Sequence, residues 1–510
     1  LSGNQALDLG LGLAWFGPAA LIVGIAGQRP SRAMGLAFLA SLASHAVLFH
    51  WFFVVTVDYG QMPSWIGFFA PLVPAFYVSL FSALFAWLWA RVGSTSHRPI
   101  LVGAVLWVAV DWARGHFLGG FPWATLGYAL HLDWPLLGWS KWAGVYVLSF
   151  FAVAVGIALG RLWLHRTPAA LRALGVTVTL VAIAHFVGAY TAPGSSSTDS
   201  TVRIAVVQGN IDQGEKWHPA RRDRIFDTYL RLSREAAEKG AEWIVWPETA
   251  VPGLIEVEPE FSTRIGNLAR EYKISFIVGG TGIAVDPISR RFTNFFDSAF
   301  VFDATGTQRD RYDKTHLVPF GEFVPLRDLF GRFFKSLARG LSDTDITAGK
   351  APRTMLIDAS ETSGQARGDG LRIGVPICYE LLFPDLVRRF GRDGAGVLLA
   401  ITNDAWYGRT GAPHQFLAMT AVRAAENGRW LVRAANTGIS AVIDAKGRVR
   451  DSSPLFEEAL IVSDIPVATD RQPTFYARFG DVFAGVCVVL TIFLLGRQEM
   501  KDRQRRAQPS

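Results

Sequence analysis

Three chemically capable side chains stand in apolar surroundings in the C-terminal half of this 510-residue chain. Cys378 ends the strand-like run Gly374-Val375-Pro376-Ile377 and precedes Tyr379 and Glu380. Glu248 follows Ile244-Val245-Trp246-Pro247, and Lys314 lies in Tyr312-Asp313-Lys314-Thr315-His316. A thiol, a carboxylate and an ammonium can together perform acyl transfer: the thiol attacks once deprotonated, the carboxylate takes its proton, and the ammonium steadies the developing oxyanion. A glutamate beside Trp246 and Ile244 is expected to be partly desolvated, with its pKa raised toward the range of a useful base. Each residue also has a plainer reading. Cys378 could be a buried inert thiol, Glu248 an exposed loop residue and Lys314 a surface lysine. The combination, and its order along the chain, favours chemistry.

The elements that must hold these residues fall into two kinds. The chain is 50% hydrophobic and only 18% charged, against about 25% charged for an ordinary soluble protein. The excess is concentrated in Ala33–Val57, Ile66–Ala90, Trp142–Gly160 and Ala173–Pro193, all free of Asp, Glu, Lys and Arg. Val482–Gly496 is a shorter run, Pro99–Val110 is followed closely by Asp111 and Arg114, and Leu9–Gly27 is interrupted by Gly17-Pro18. A bilayer span needs roughly 20 apolar residues, so about seven spans are expected, six before the catalytic residues and one after. The chain opens on Leu1 and not on methionine, which leaves an eighth helix open. Recurrent apolar runs do not fit a cleaved signal peptide.

Basic residues cluster in alternate loops: Arg29 and Arg32, Arg91 and Arg98, Arg161 with Arg166 and Arg172, and the tail from Arg497 to Arg506. Asp58–Trp65 and Gly115–Pro135 are poor in Lys and Arg. The positive-inside rule places the basic loops in the cytoplasm and residues 191–478 outside it. The net charge of +7 reflects those loops, and no basic-aromatic motif supports nucleic-acid binding. Cys378 lacks a partner in that oxidising space, since the second cysteine, Cys487, falls in the last apolar run. His45 and His50 are off the spacing of ligands on one helical face. Neither a metal cluster nor a phosphate loop is visible, and no cofactor is expected.

The expected domains are N-terminal membrane helices over 1–191, a Gly/Ser-rich linker over 192–201, a catalytic domain over 202–470, a membrane helix over 478–496 and a basic cytoplasmic tail over 497–510. Within the catalytic domain, strands are predicted at Val202–Gln208, Trp243–Trp246, Ser275–Gly279, Phe295–Phe302, Leu371–Ile377, Val397–Thr402, Trp430–Ala434 and Ser440–Asp444. Helices are predicted at His218–Lys239, Glu260–Tyr272, Phe383–Phe390 and His414–Asn427, which makes an α/β domain. Thr344–Gly370 reads as a polar, irregular insertion, and no internal repeat is visible.

The residues Val207-Gln208-Gly209-Asn210, Lys216-Trp217, Trp246-Pro247-Glu248, His316 to Pro325, Ile377-Cys378-Tyr379-Glu380, Asn403 to Gly408 and Gly119-Gly120-Phe121-Pro122-Trp123 carry a resemblance. From Val202 to Val467 the chain resembles the nitrilase superfamily, whose members use a Glu-Lys-Cys triad. As a whole it resembles the apolipoprotein N-acyltransferases of bacterial inner membranes. Pro376, two residues before the cysteine, departs from the hydrophobic residue common there.

The resemblance implies an αββα sandwich beside a polytopic helical domain, with the catalytic domain periplasmic. It implies a ping-pong reaction in which Glu248 deprotonates Cys378, and the thiolate takes an acyl chain from a phospholipid, typically phosphatidylethanolamine. Lys314 and the Tyr379 N–H hold the oxyanion, and the thioester then acylates the α-amine of a diacylglyceryl-cysteine apolipoprotein. Glu322 is implied as an orienting partner of Lys314, and Tyr379 and Glu380 as supporting residues, with Glu380 equally readable as a salt-bridge partner. Trp123, Trp217 and Trp406 are candidates for a lipid-facing rim, because tryptophan favours the membrane interface; packing is the alternative for each. A monomer is expected. Competing readings are a membrane-tethered amidase, in which water takes the acyl group, and a non-catalytic lipoprotein-binding protein.

Overall fold

The computed structural model describes residues 9–191, 200–216, 218–286, 291–319, 321–323, 346–357, 370–469 and 472–507. They form two units. One joins residues 1–50, 69–192 and 479–510, and the other joins 51–68 to 193–478.

The first unit is helical: α1 (Leu9–Gly24), α2 (Pro30–Leu48), α3 (Leu72–Leu88), α4 (Pro99–Arg114), α5 (Tyr146–His165), α6 (Pro168–Thr191) and, at the other end of the chain, α11 (Val482–Ala507). α5 is the central helix and packs against α1, α4 and α6, while α2 pairs with α3. Among the described residues, five helices are long and apolar enough to cross a membrane, and the first is a shorter apolar helix over Gly12–Gly24. α6 exposes Leu171, Val176, Leu180, Ile183 and Phe186. Water would not tolerate such a continuous apolar face, but lipid does.

α4 runs on to Arg114 despite its two late charges, because they neutralise each other. Asp111 and Arg114 form a buried ion pair at 2.7 Å. Arg114 also donates to the carbonyls of Phe121 and Trp123 and to the Thr125 hydroxyl. The Gly119-Gly120-Phe121-Pro122-Trp123 segment is thereby pinned back on its own helix. Gly120 has φ +76°, and a Cβ there would lie 2.0 Å from the Gly115 carbonyl oxygen, so the turn requires glycine.

Among the described residues the second unit has twelve strands: β1 (Ser200–Gln208), β2 (Trp243–Val245), β3 (Ser275–Val285), β4 (Phe292–Phe302), β5 (Gln308–Asp313), β6 (Met355–Ile357), β7 (Leu371–Gly374), β8 (Val397–Thr402), β9 (Leu431–Ala435), β10 (Ala441–Ile443), β11 (Val449–Ser452) and β12 (Ala459–Val467). They make two six-stranded sheets, ordered β12-β1-β2-β3-β4-β5 and β6-β7-β8-β9-β10-β11. In each sheet the second, third and fourth strands run parallel and the remaining pairs antiparallel. The topology is thus duplicated although the sequence shows no repeat.

Helices α7 (Arg222–Glu238) and α8 (Pro259–Tyr272) bury Phe226, Tyr229, Phe261 and Ile265 against Val207, Trp246, Phe276 and Phe300 of the first sheet and its edges. α9 (Pro384–Arg392) and α10 (Ala412–Asn427) cover the second sheet, and β1 meets β9 between the sheets. This is the αββα sandwich expected. Its consequence for the site is that the loops after β2 and β8, the equivalent parallel strands of the two sheets, meet each other, as the carboxyl ends of parallel strands do in other α/β sites.

Candidate active site

Glu248 is the third residue beyond the end of β2, raised by Trp246-Pro247 and followed by Thr249 at φ +46°. Its Oε1 accepts from the Lys314 ammonium at 3.0 Å, and its Oε2 accepts from the Asn403 backbone N–H at 2.7 Å. Asn403 directly follows β8, so the two equivalent strand ends are joined by this hydrogen bond.

Lys314 follows β5 and is fully buried. Its three protons have three carboxyl partners: Glu248, Asp297 Oδ2 at 3.2 Å and Glu322 Oε1 at 2.5 Å. Burial alone would lower its pKa; the charges of Glu248, Glu322 and Asp297 outweigh burial and hold it well above the ordinary lysine value. Lys314 is therefore a permanent cation. With every proton already met by a carboxyl group, what it can offer a nearby oxyanion is its charge.

Glu322 reaches Lys314 because it folds back on Val318. The Glu322 N–H donates to the Val318 carbonyl at 2.9 Å, and its Oε2 accepts from the Val318 N–H at 2.8 Å.

Cys378 opens a short helical turn, Cys378–Leu382, with φ +46°, a strained conformation for a side-chain-bearing residue and one found at functional sites. The thiol is buried, in electrostatic reach of Glu248, Lys314 and Glu322, with Thr402 as its side-chain hydrogen-bond partner. Burial first, then the Glu248 charge, push its pKa well above the ordinary thiol value, against the opposing pull of Lys314 and Thr402. At rest it is a neutral thiol.

One expectation is corrected here. Burial does push the Glu248 carboxyl up, but the Lys314 charge, hydrogen bonds from Asp297 and Lys314, and the Lys216 charge outweigh it and bring it down to about 2. Glu248 stands ready as a carboxylate and is not poised near neutrality. The neighbouring sequence revealed the apolar walls but not the two ammoniums that arrive from elsewhere in the chain.

Glu380 is fully buried and accepts from the Tyr312 hydroxyl (2.7 Å), the Thr315 N–H (2.7 Å) and hydroxyl (2.8 Å), and the Ile377 N–H (2.8 Å). These donors are neutral, so the salt-bridge reading of Glu380 does not hold among the described residues. It fastens the loop after Lys314 to the turn that carries Cys378. Tyr379 packs edge-on against Phe383 at 5.2 Å and beside His316.

The tryptophans separate. Trp406 is 39% exposed and meets the edge of Tyr59 at 5.4 Å, while Trp51 meets Tyr407 at 5.0 Å. Residues 51–68, read from sequence as the end of the apolar run to Val57, the outside loop Asp58–Trp65 and the start of the next run, are thus part of the catalytic unit. Trp123 is buried in the helical unit, stacked on Phe121, which favours packing over a lipid-facing place. Trp217 lies outside the described residues.

Sequence reasoning did not single out Asp297, Lys216, Thr402 or Asn403 as site residues. Asp297 had a visible signal, a lone charge in the apolar stretch Phe295-Phe296-Asp297-Ser298-Ala299-Phe300. Lys216 is buried and donates to the Thr249 hydroxyl at 2.5 Å and to the Glu248 carbonyl at 3.3 Å. Burial lowers its pKa to about 8 against the pull of Glu248, Asp297 and Cys378.

Residues 203–472 match the family model for carbon-nitrogen hydrolases, which defines the class of the catalytic unit. Residues 7–158 match the model of the apolipoprotein N-acyltransferase N-terminal domain. The apolipoprotein N-acyltransferase of Geobacter metallireducens is 37% identical over 487 residues, covering 93% of this chain and 89% of that protein. That of Azotobacter vinelandii is 32% identical, covering 98% and 92% respectively. Among solved structures, an amidase from Nesterenkonia sp. aligns with 53% of this chain and 92% of its own, at 20% identity and a TM-score of 0.39. The chain belongs to the apolipoprotein N-acyltransferase family.

Proposed function

We propose that this protein transfers an acyl chain from a membrane phospholipid, through a thioester on Cys378, to the α-amine of a diacylglyceryl-cysteine apolipoprotein. The observation that carries the mechanism is the Glu248–Lys314–Glu322 cluster, with Glu248 and Lys314 buried and Glu322 half-buried, beside a strained, neutral thiol. In the first half-reaction the Cys378 sulfur bonds to the ester carbonyl carbon while its proton passes to Glu248. The tetrahedral oxyanion is steadied by the Lys314 charge and the Tyr379 N–H. Collapse breaks the carbon–oxygen bond, and the lyso-phospholipid alkoxide leaves with the proton from Glu248. In the second half the amine attacks the thioester, Glu248 takes an amine proton, and the thiolate is expelled and reprotonated.

Because Glu248 is a weak base and Cys378 a weak acid, proton transfer is unfavourable until the sulfur begins to bond to carbon. Attack and deprotonation are therefore coupled, which protects the resting thiol from adventitious reaction. Phosphatidylethanolamine is the proposed donor. The enzyme is placed in the inner membrane as a monomer, with the catalytic unit on the periplasmic side, as the basic loops suggest.

The family relation extends through the helical part, which an amidase acting on soluble substrates has no use for. The direct test supplies the full-length enzyme with phospholipid and a synthetic diacylated lipopeptide. Triacylated peptide is expected; free fatty acid in its place would mean that water is the acceptor. A reporter fused after Ser200 should give a periplasmic signal and one after Gln504 a cytoplasmic signal. A cytoplasmic signal at Ser200 would separate Cys378 from exported lipoproteins and overturn the placement.

A further inference from the structure

Three carboxyl groups, Glu248, Asp297 and Glu322, have oxygen atoms within 4.8 Å of one another around the single Lys314 ammonium. Glu248 and Asp297 are buried and Glu322 half-buried; three carboxylate charges crowded on Lys314, with Lys216 further off, are costly to keep, so one of the two buried groups is expected to hold a proton. Donor geometry says which. Glu248 receives two donors, Lys314 and the Asn403 N–H. Glu322 also receives two, Lys314 and the Val318 N–H. Asp297 receives one, Lys314, at the longest of the three distances, 3.2 Å. Its buried Oδ1 meets no donor among the described residues.

The same side chain has a carboxyl oxygen within 4.8 Å of one of Glu248, a closeness that two buried carboxyl groups relieve by sharing a proton. The charged and titratable groups facing Asp297 are Glu248, Lys314, Glu322 and, more distantly, Lys216, with Cys378 in the same pocket. Burial and the Glu248 charge push the Asp297 carboxyl well above the usual carboxylate range, which agrees with the donor count.

We propose that Asp297 is a positioning residue, a neutral carboxylic acid that accepts from Lys314 through one oxygen and donates through the other to Glu248. In that role it holds the Glu248 carboxylate toward Cys378 and keeps it ionised, and the pocket carries two carboxylate charges in place of three. The inference rests on the reading of Glu248 as the base. It adds Asp297 to Glu248, Lys314, Glu322 and Cys378, acting through Glu248 and touching no substrate.

Asparagine has the shape of a protonated aspartic acid and offers the same acceptor and donor without a titrating proton. Asp297→Asn should therefore keep kcat within about threefold of the unsubstituted enzyme. Asp297→Ala should lower kcat about tenfold or more with little change in KM, and should move the acid limb of the kcat/KM profile upward, because Glu248 loses a donor to its charged form. Infrared difference spectra of the full-length enzyme with and without Asp297→Asn give a readout that needs no turnover. The difference should contain the carbonyl stretch of a buried protonated carboxylic acid.

Loss of an ionised-carboxylate band in its place would overturn the proposal, whatever activity the variant has. So would an Asp297→Asn enzyme as impaired as Asp297→Ala. Should the alanine variant fail to fold, the asparagine variant and the infrared band still decide. If the unsubstituted enzyme forms no acyl adduct on Cys378, the proposed function fails, while the infrared band continues to report on Asp297 alone.

Discussion

Two buried glutamates of the candidate site live in opposite surroundings. Glu248 faces cations, the Lys314 ammonium directly and Lys216 nearby, and its carboxyl is drawn down to about 2. Glu380 faces neutral hydroxyl and backbone donors, and burial leaves its carboxyl raised from the usual value despite them. The first arrangement holds charges that can be redistributed when a new charge develops beside Cys378. The second is a fastening that ties two loops together whatever the reaction does. Burial alone does not mark a carboxylate as catalytic; the kind of partner does.

The largest effect that sharpens this contrast is at the nucleophile served by the first cluster. Cys378→Ala should abolish transfer, and Cys378→Ser should retain the fold but be nearly inactive, since a hydroxyl needs a stronger base. Native-rate transfer by either would remove the reason to single out the Glu248 cluster. Next, Glu248→Gln should cost about 10²-fold or more in kcat, the usual scale of general-base catalysis. Glu322→Gln should cost less, because Lys314 keeps two other carboxyl partners. A larger loss at Glu322 would reverse the two roles.

Glu380→Gln should divide differently. Its amide nitrogen must face a donor such as the Ile377 N–H, so the expected loss is about 1–3 kcal/mol of folding stability, with a smaller fall in kcat than for Glu248→Gln. Chemical denaturation and steady-state kinetics on the same preparation separate the two. If Glu380→Gln kept full stability and lost as much rate as Glu248→Gln, the contrast between fastening and reactive carboxylates would collapse.

The thiol offers a titration. The Glu248 charge is one of the forces raising the Cys378 pKa. Alkylation of Cys378 by iodoacetamide should thus be slow at neutral pH and accelerate only on the alkaline side. Glu248→Gln removes an anion and should shift that acceleration to lower pH. An upward shift, or none, would mean that the two side chains are not in electrostatic contact.

The smallest effect is expected at the rim. Trp406→Ala should slow acylation from membrane phospholipid by a few-fold more than acylation from a short-chain soluble ester, because only the first substrate needs an apolar entrance. Equal slowing would make Trp406 a packing partner of Tyr59 and nothing more.

The legible and illegible parts of the chain differ for physical reasons. Buried central strands such as Val397–Thr402 announce themselves as unbroken apolar runs. β5 (Gln-Arg-Asp-Arg-Tyr-Asp) lies at a sheet edge and is almost wholly polar, so no periodicity betrays it. β12 earns its place by pairing along its whole length with β1, some 250 residues earlier, a long-range contact that local pattern does not encode. Among the residues proposed to bear the chemistry, Glu248 and Cys378 stand out because each is a polar type at the end of an apolar run, whereas Lys314 follows the polar β5 and stands out by the His316 to Pro325 block after it. The protonation states were not, because they depend on Lys216, Lys314 and Asn403 converging on Glu248 from three distant segments. The attachment of residues 51–68 to the catalytic unit was hidden for the same reason: ring contacts between Trp51 and Tyr407 and between Tyr59 and Trp406 join segments some 350 residues apart.

The central claim is that Cys378 carries the acyl group. Intact-mass analysis of the full-length enzyme after mixing with phospholipid, in the absence of any acceptor, tests it most directly. The account predicts a mass increase of one acyl chain, released by hydroxylamine as a thioester is, located on the peptide containing Cys378 and absent from Cys378→Ala. An enzyme that turns over without ever showing the adduct, or an adduct that persists in Cys378→Ala, would contradict it.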